Sequence, residues 1–366
     1  MEKKKNLWSS LILLTLIAVT FWCIFRNNDV GKIFAAIAGV RRSFLLLGLA
    51  LMFVFVASEG LGIKALLKSL NYKSSYRQCL KYSFLGFYYT SVLPSSGGPP
   101  MQVYYMNRDG VEVGDASLCI MVIAIAYQLG MLLICLSAFV LRFGFINRSL
   151  GIVKYFSLLG ALVDAALLFL YTAVAFRSGL VEKILLAVIN FLAKLKIIRK
   201  PAEAAARAEN QLSRFRKAAQ YVQRNPKVLA VTLLMIVIQL LSRLSVAYMV
   251  YLAFGLRGYG YLDILSLQAF LALGVEYLPI PGSVGIAEAG FYRVNALIFG
   301  SGLLMPATLL TRGISYYAFL LISGSVAVFA HLRPTLRHPG KLGPVKEKNV
   351  CLRENYECGK DTGCGR

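Results

Sequence analysis

Long apolar stretches, separated by short polar and basic ones, make up most of this chain. Six of them are long enough to cross the hydrocarbon core of a bilayer as helices, which takes about 20 residues. They lie at 7–25, 43–66, 116–141, 151–176, 228–254 and 305–331. The pattern predicts an all-α polytopic membrane protein with about six full transmembrane helices.

The stretch 7–25 follows three lysines and could pass for a signal peptide. A signal peptide ends at a cleavage site made of small residues, whereas Trp22 to Arg26 is bulky. We therefore interpret 7–25 as an uncleaved first span.

Two shorter apolar stretches, 78–93 and 263–280, each run into a segment rich in proline and glycine. We call 93–100 the first break and 278–285 the second break. Neither break can continue a helix, because proline removes a backbone donor and glycine weakens helical structure. Both stretches are therefore predicted to be re-entrant segments, which enter the membrane and return to the same side.

The two breaks belong to an internal repeat. Thirty-three residues after Pro94 come Tyr127 and Gln128, and thirty-three after Pro279 comes Arg312. Each of these is a polar site within an otherwise apolar helix. The repeat predicts one domain, 1–332, with two halves at 43–176 and 228–331. A basic linker, 177–227, joins the halves, and a polar, disordered tail, 333–366, follows the domain.

Basic residues set the predicted orientation. Lysine and arginine outnumber aspartate and glutamate by 40 to 17, and most of them fall between apolar runs rather than along a soluble face. This distribution indicates anionic headgroups and not DNA as the partner. Lys3 to Lys5, the linker and the tail place both termini in the cytoplasm, although four basic residues after the first span disagree: Arg26, Lys32, Arg41 and Arg42.

With this topology the two breaks enter from opposite faces, so the halves form an inverted repeat. Transporters of that architecture place a polar site near the bilayer midplane, between broken helices. Glycine allows a close approach to a ligand, and the N-terminus of a half-helix attracts phosphate. The candidate residues for a lipid path are Pro94, Ser95, Gly97, Gly98, Gln102, Tyr104, Tyr127, Gln128, Arg243, Glu276, Pro279, Pro281, Gly282, Gly285, Glu288, Arg293 and Arg312.

Ionisable residues in apolar segments are costly and therefore informative. Arg243 and Arg312 could bind a lipid phosphate, for which arginine is the better bidentate partner. The alternative is that five residues pair with one another to hold helices together: Glu276, Glu288, Arg243, Arg293 and Arg312. Glu59 and Asp164 are interpreted as structural, and the tyrosine pairs at 88–89, 104–105 and 316–317 as interfacial anchors.

Catalytic motifs are missing from the sequence. Its two histidines, His331 and His338, lie at or beyond the end of the last span, and there is no Walker loop, GxSxG or HExxH motif. We expect no cofactor, no metal and no enzymatic activity from this chain alone.

The two breaks resemble a known pair of signatures. The first is Leu93-Pro-Ser-Ser-Gly-Gly-Pro-Pro-Met-Gln-Val-Tyr-Tyr-Met106, followed by Arg108-Asp109-Gly110, and the second is Leu278-Pro-Ile-Pro-Gly-Ser-Val-Gly-Ile-Ala-Glu-Ala-Gly-Phe291. Both are similar to the signatures of the lysylphosphatidylglycerol synthase transmembrane region. This flippase-like domain occurs in the multiple peptide resistance factor and in stand-alone bacterial proteins. The resemblance covers about residues 5–332; Pro99 stands where the Gram-positive variant has Gln, and Tyr127-Gln128 where other branches have Glu-Arg.

The resemblance implies a flippase that moves aminoacylated phosphatidylglycerol, or another polar lipid, between leaflets of the bacterial cell membrane and so lowers attraction for cationic peptides. One alternative is a phosphatidylglycerol lysyltransferase, or its membrane subunit, which would use lysyl-tRNA. The polar tail is too short for the soluble acyltransferase domain of the full-length synthases. The other alternative is a non-transporting scaffold for a partner synthase; homo-oligomers are left open.

Overall fold

Helices make up the regular structure of the described part of the protein. The computed structural model describes residues 30–93, 97–149, 153–176, 215, 219–220, 222–275 and 286–332. Numbered along these ranges, the helices are α1 (Val30–Ala38), α2 (Arg42–Ser69), α3 (Tyr76–Val92), α4 (Gly98–Arg108), α5 (Val113–Ser149), α6 (Val153–Phe176), α7 (Pro226–Ala253), α8 (Tyr261–Val275), α9 (Ile286–Arg312) and α10 (Phe319–Leu332), with a π turn (Gly313–Ala318) between the last two.

Five of the predicted spans are confirmed. Helices long and apolar enough to cross a membrane lie at Arg42–Ser69, Val113–Ser149, Tyr155–Ala173, Pro226–Ala253 and Gly302–His331. The predicted span 7–25 lies outside the described residues. Large apolar side chains cover the outer faces of these helices, with Phe169 72% and Leu321 74% exposed. Water would penalise such a surface, so lipid is its natural surrounding.

The predicted re-entrant segment 78–93 is an antiparallel helical hairpin of α3 and α4. Thr90 lies against Gly98 near the first break, Gly86 lies against Gln102, and Tyr82 reaches Asp109 at the open end. The two helices have 17 and 11 residues. At about 1.5 Å per residue both are shorter than the roughly 30 Å hydrocarbon core, so the hairpin enters without crossing.

Two glycines permit the tight contact within this hairpin. A Cβ atom on Gly86 would lie 2.1 Å from Nε2 of Gln102, and one on Gly98 would lie 1.9 Å from Oγ1 of Thr90. Real Cβ contacts are much longer, so any larger residue would push the two helices apart. The glycines near the first break therefore position Gln102 as well as the break itself.

Polar contacts at its open end hold the hairpin to the rest of the protein. Asp109 forms a salt bridge with Lys81, and its Oδ2 accepts a hydrogen bond of 2.6 Å from the hydroxyl of Tyr82. The guanidinium of Arg108 donates to the backbone oxygen of Ala330 at 3.2 Å. These contacts fix the C-terminal end of α4 relative to α3 and α10.

We expect Asp109→Ala to lower the melting temperature of the purified protein, because it removes the carboxylate to which both Lys81 and Tyr82 bind. The loss should be about 1–2 kcal/mol, since the ion pair is partly exposed and contributes less than the hydrogen bond from Tyr82. Asp109→Asn removes the charge but keeps an acceptor for Tyr82, so its melting temperature should fall between those of the wild type and the alanine variant. Equal values for all three proteins would show that this end of the hairpin does not depend on Asp109.

The second half of the chain has a matching arrangement. Helix α8 has 15 residues, and Gln268 donates from Nε2 to Oδ1 of Asn295 on α9 at 3.0 Å. The backbone of α9 departs from helical geometry at Gly300, whose positive φ of 66° suits glycine. A short helix is thus followed by a short helical segment and then by a longer one, as in α3, α4 and α5. The second break lies outside the described residues.

Helices α2 and α7 join the two halves. The amide of Arg41 donates to the carbonyl of Ala253 at 2.9 Å, and Gly62 lies against Thr232 near the other end, so the helices are antiparallel. Both helices have 28 residues, and counted from the first residue Ser58-Glu59 and Ser242-Arg243 have the same positions in their helices. Antiparallel equivalent helices are the relation that an inverted repeat requires.

Helix α6 is attached to α8 by small residues. The hydroxyl of Ser157 donates to the carbonyl of Phe270 at 2.7 Å, and a Cβ on Gly160 would lie only 2.0 Å from the carbonyl oxygen of Leu273. Asp164, one turn further on the same face, is fully buried. Small residues at such spacing let membrane helices approach closely.

The π turn changes the buried face of the last span. Upstream of it, buried positions recur at the three- or four-residue spacing of an α-helix. From Thr311 to the next buried position, Tyr316, the spacing is five, and the α-helical spacing then resumes. The buried positions that show these spacings are Leu304, Ala307, Thr311, Tyr316, Phe319, Ser323 and Ala327.

Candidate functional site

The predicted site residue Arg312 lies beside the tip of the first hairpin. Its guanidinium carbon is 4.9 Å from the centre of the Tyr316 ring, and the hydroxyl of Tyr316 donates to the carbonyl of Ser91 at 3.5 Å. Ser91 follows Thr90, which contacts Gly98 across the hairpin. The structure thus connects Arg312 in the second half to the first break in the first half through a single tyrosine.

Aromatic rings surround this connection. The ring of Phe87 lies 6.4 Å from that of Tyr316, and Tyr317 lies 5.2 Å from Tyr316 on its other side. On the neighbouring helix, Gly324 leaves room for the ring of Tyr88. Tyr316, which the sequence grouped with the interfacial anchors, is buried and makes contacts with two helices. We call Ser91, Arg312, Tyr316 and the N-terminus of α4 the arginine site.

The arginine site has features suited to an anionic headgroup. The guanidinium can bind phosphate through two donors, while the aromatic ring holds it in place. The hairpin tip contains the N-terminus of α4, where the helix dipole favours negative charge. Pro99 and Pro100 have no N–H, so Gly98 and Met101 carry the backbone donors of its first turn. A π turn immediately follows Arg312, and such turns are frequent at functional sites.

A second polar group lies further from the tip of the hairpin, toward its open end. Glu59 on α2 accepts hydrogen bonds from Nε2 of Gln102 at 2.8 Å and from Nε2 of Gln239 at 3.0 Å. The same nitrogen of Gln102 also donates to the carbonyl of Tyr82 at 3.1 Å. We call Glu59, Gln102 and Gln239 the carboxylate–amide cluster. It joins the first half, through α2 and α4, to the second half, through α7.

The burial of this cluster is unequal. Gln102 is 5% and Gln239 3% exposed, whereas Glu59 is only partly buried. Oε1 of Gln239 has no hydrogen-bond partner among the described residues. A buried amide oxygen without a donor is costly, so a donor that arrives at this position would be bound favourably.

The other predicted site residues are dispersed along the helices. Arg243 is partly buried one helical turn after Gln239, and Gln128 is buried on α5. Tyr127 packs against the main core, and Tyr104 is 56% exposed with its ring against Tyr105. Gly97 and Gly98 begin α4.

Several predicted residues fall where the structure gives no description. Glu288 and Arg293 lie on α9, but only their backbone is described. The residues outside the described ranges are Pro94, Ser95, Glu276, Pro279, Pro281, Gly282 and Gly285. Within the described ranges no group of three or more histidine, cysteine, aspartate or glutamate side chains could hold a metal ion.

Sequence reasoning missed Gln239 and treated Glu59 as structural. The signal for Gln239 was present, because it is an amide in the interior of a 28-residue apolar helix. A search restricted to ionisable residues does not find it. A search for any polar side chain in the middle of a predicted span would have found both Glu59 and Gln239.

Comparison with known proteins gives two matches. A sequence model described as "Lysylphosphatidylglycerol synthase TM region" matches residues 7–323. A curated relative from Archaeoglobus fulgidus, described as "UPF0104 membrane protein", is 25% identical over 322 residues, which are 86% of this chain and 94% of the relative. The match to the sequence model includes both breaks, the arginine site and the carboxylate–amide cluster.

Proposed function

We propose, from the premise that this chain belongs to the lysylphosphatidylglycerol synthase transmembrane-region family, that it moves a polar phospholipid between the two leaflets of a membrane. The observation that carries the proposal is the arginine site. There a fixed cation in the last span is held against the tip of a re-entrant hairpin from the other half of the chain. The headgroup class that fits this site contains a phosphate, with aminoacylated phosphatidylglycerol as the leading candidate.

The physical task of such a protein is to carry a polar headgroup through hydrocarbon while the acyl chains stay in lipid. Irregular backbone at membrane depth is tolerated only where protein or water surrounds it. The described residues that flank the first break belong to α3 and α4, and α3 is bonded to the π turn through Ser91 and Tyr316. The carboxylate–amide cluster supplies further polar groups along the same hairpin. A headgroup could therefore pass from one polar site to the next without losing all of its hydrogen bonds.

The proposal places the protein in the cell membrane of a bacterium, with both termini in the cytoplasm. The basic residues before the first span and in the linker support this orientation. On the same proposal, the anionic or aminoacylated lipid is its partner and lysyl-tRNA is not.

The test is to compare cells with and without the chain by two measurements. The first is the total aminoacyl-phosphatidylglycerol in a lipid extract, and the second is the fraction that a membrane-impermeant amine reagent labels from outside. We expect an unchanged total and a smaller labelled fraction after deletion, and restoration by the wild-type gene. Loss of the total would instead indicate the lysyltransferase or its membrane subunit.

Purified protein separates the transporter from a scaffold. In vesicles of phosphatidylglycerol and phosphatidylethanolamine, a headgroup-labelled phospholipid should become accessible to a quencher faster with the protein than without it. A scaffold for a partner synthase would leave the rate at that of empty vesicles. That result would overturn the proposed function.

A further inference from the structure

The carboxylate of Glu59 has two neutral partners at the middle of a transmembrane helix. Both of its oxygens accept from side-chain amides, one from each half of the chain. No salt bridge to Glu59 occurs among the residues that the structure describes. A carboxylate in an apolar span is costly unless a cation neutralises it or a proton binds to it.

Several charged groups lie on α2 and on the elements packed against it. These elements are α3, α5, α7 and the π turn, and α4 reaches Glu59 through Gln102. Four of the charged groups have partners of their own: Lys81 pairs with Asp109, Asp115 bonds to Tyr72, Arg142 pairs with Asp263, and Arg312 stacks on Tyr316. The other charged groups on these helices are Arg42, Lys64, Lys68, Arg77, Arg108, Arg148, Lys227 and Arg243, the last of which lies one turn beyond Gln239.

The hydrogen bonds of the cluster favour two alternative states. With Glu59 ionised, both amides donate through Nε2 and the buried Oε1 of Gln239 is left without a donor. If a proton from water binds Oε2 of Glu59, that oxygen becomes a donor. Rotation of the Gln239 amide then lets its Oε1 accept this hydrogen bond. One proton thus removes the unneutralised charge and pairs this oxygen, while Nε2 takes the position that Oε1 occupied.

The position of Glu59 connects its charge to the interface between the halves. Glu59 lies on α2 of the first half, and Gln239 lies on α7 of the second. A change of charge at Glu59 alters the bond to Gln239, which is the direct polar contact between α2 and α7 at this level.

We propose that Glu59 is a proton-binding site and that its occupancy controls the contact between the two halves, so that lipid movement responds to pH. The control of lipid movement rests on the proposed function, whereas the proton site itself does not.

The proton site can be tested without any transport. Infrared difference spectra of the purified protein, recorded between alkaline and acidic buffer, should show a carboxylic-acid carbonyl band that is absent in Glu59→Gln. Gln239→Leu removes a donor to the ionised carboxylate but keeps the acid, so the band should remain and its titration midpoint should move to higher pH. The control Gln268→Leu removes a buried amide of α8, which bonds to Asn295 on α9, and should leave the midpoint unchanged. An identical spectrum for wild type and Glu59→Gln would overturn the proton site.

Transport in vesicles tests the second part. A pH gradient should change the rate of labelled-lipid movement by the wild type several-fold and leave the rate of Glu59→Gln constant. A wild-type rate that ignores the gradient, while the infrared band titrates, would overturn the coupling. If the wild type moves no lipid at all, the proposed function fails, and the spectra still decide the proton site.

Discussion

Replacing Arg312 with alanine should reduce lipid movement by roughly ten- to a hundredfold while the protein still inserts into the membrane. A hydrogen-bonded charged group contributes about 1.5–3 kcal/mol, which corresponds to this range if the phosphate is bound by the guanidinium during transfer. The measurement is the rate of labelled-lipid movement in vesicles, with equal amounts of inserted protein. Tyr316 keeps its hydrogen bond to Ser91 in the variant, so the hairpin should stay in place.

Two further variants make the result specific. Arg312→Lys keeps the charge but loses bidentate binding, and it should recover part of the rate. Arg148→Ala removes an exposed arginine near the end of α5 and should behave as the wild type. Wild-type transport by Arg312→Ala would remove the arginine site from the mechanism.

Replacing Gly160 with alanine should strongly destabilise the contact between α6 and α8. The added Cβ would lie 2.0 Å from the backbone oxygen of Leu273 and 2.7 Å from its carbonyl carbon. Backbone atoms cannot rotate away as a side chain can, so the helices must separate. Overpacking typically costs about 1–3 kcal/mol, and the rigid neighbour places this case at the upper end. We expect a clear drop in melting temperature and faster proteolysis of the detergent-solubilised protein.

Gly144→Ala is the matched control, because a Cβ at Gly144 has no heavy atom within 4 Å. It should melt like the wild type or slightly higher, since alanine favours a helix over glycine. Equal melting temperatures for the two variants would mean that α6 is not held by this contact.

The sequence predicted most of the fold because lipid imposes a simple rule. Every spanning segment must be long, apolar and helical, so the runs 43–66 and 228–254 predict α2 and α7 to within a few residues. The first break predicted the reversal of the chain, because its prolines and glycines cannot continue a helix. Packing cannot be inferred in this way, because lipid-facing and buried apolar residues look alike in sequence.

The candidate site was less predictable than the fold. Arg312 was found because a charge in an apolar segment is rare and costly. Gln239 was missed because a neutral amide costs less to bury and stands out less. The role of Glu59 depends on contacts with residues 43 and 180 positions away along the chain, Gln102 and Gln239. Periodicity and local motifs carry no information on such pairs.

The π turn after Arg312 makes the length of the last span a functional property. Its surplus residue rotates everything downstream by about 100°, the angle that one residue takes in an α-helix. Removing one residue between Gly313 and Ala318 would reverse that rotation. It would carry Phe319 from its ring contacts with Phe53 on α2 and Phe84 on α3, and Ser323 from its buried position, toward lipid. In this segment many side chains could be exchanged more safely than one residue could be deleted.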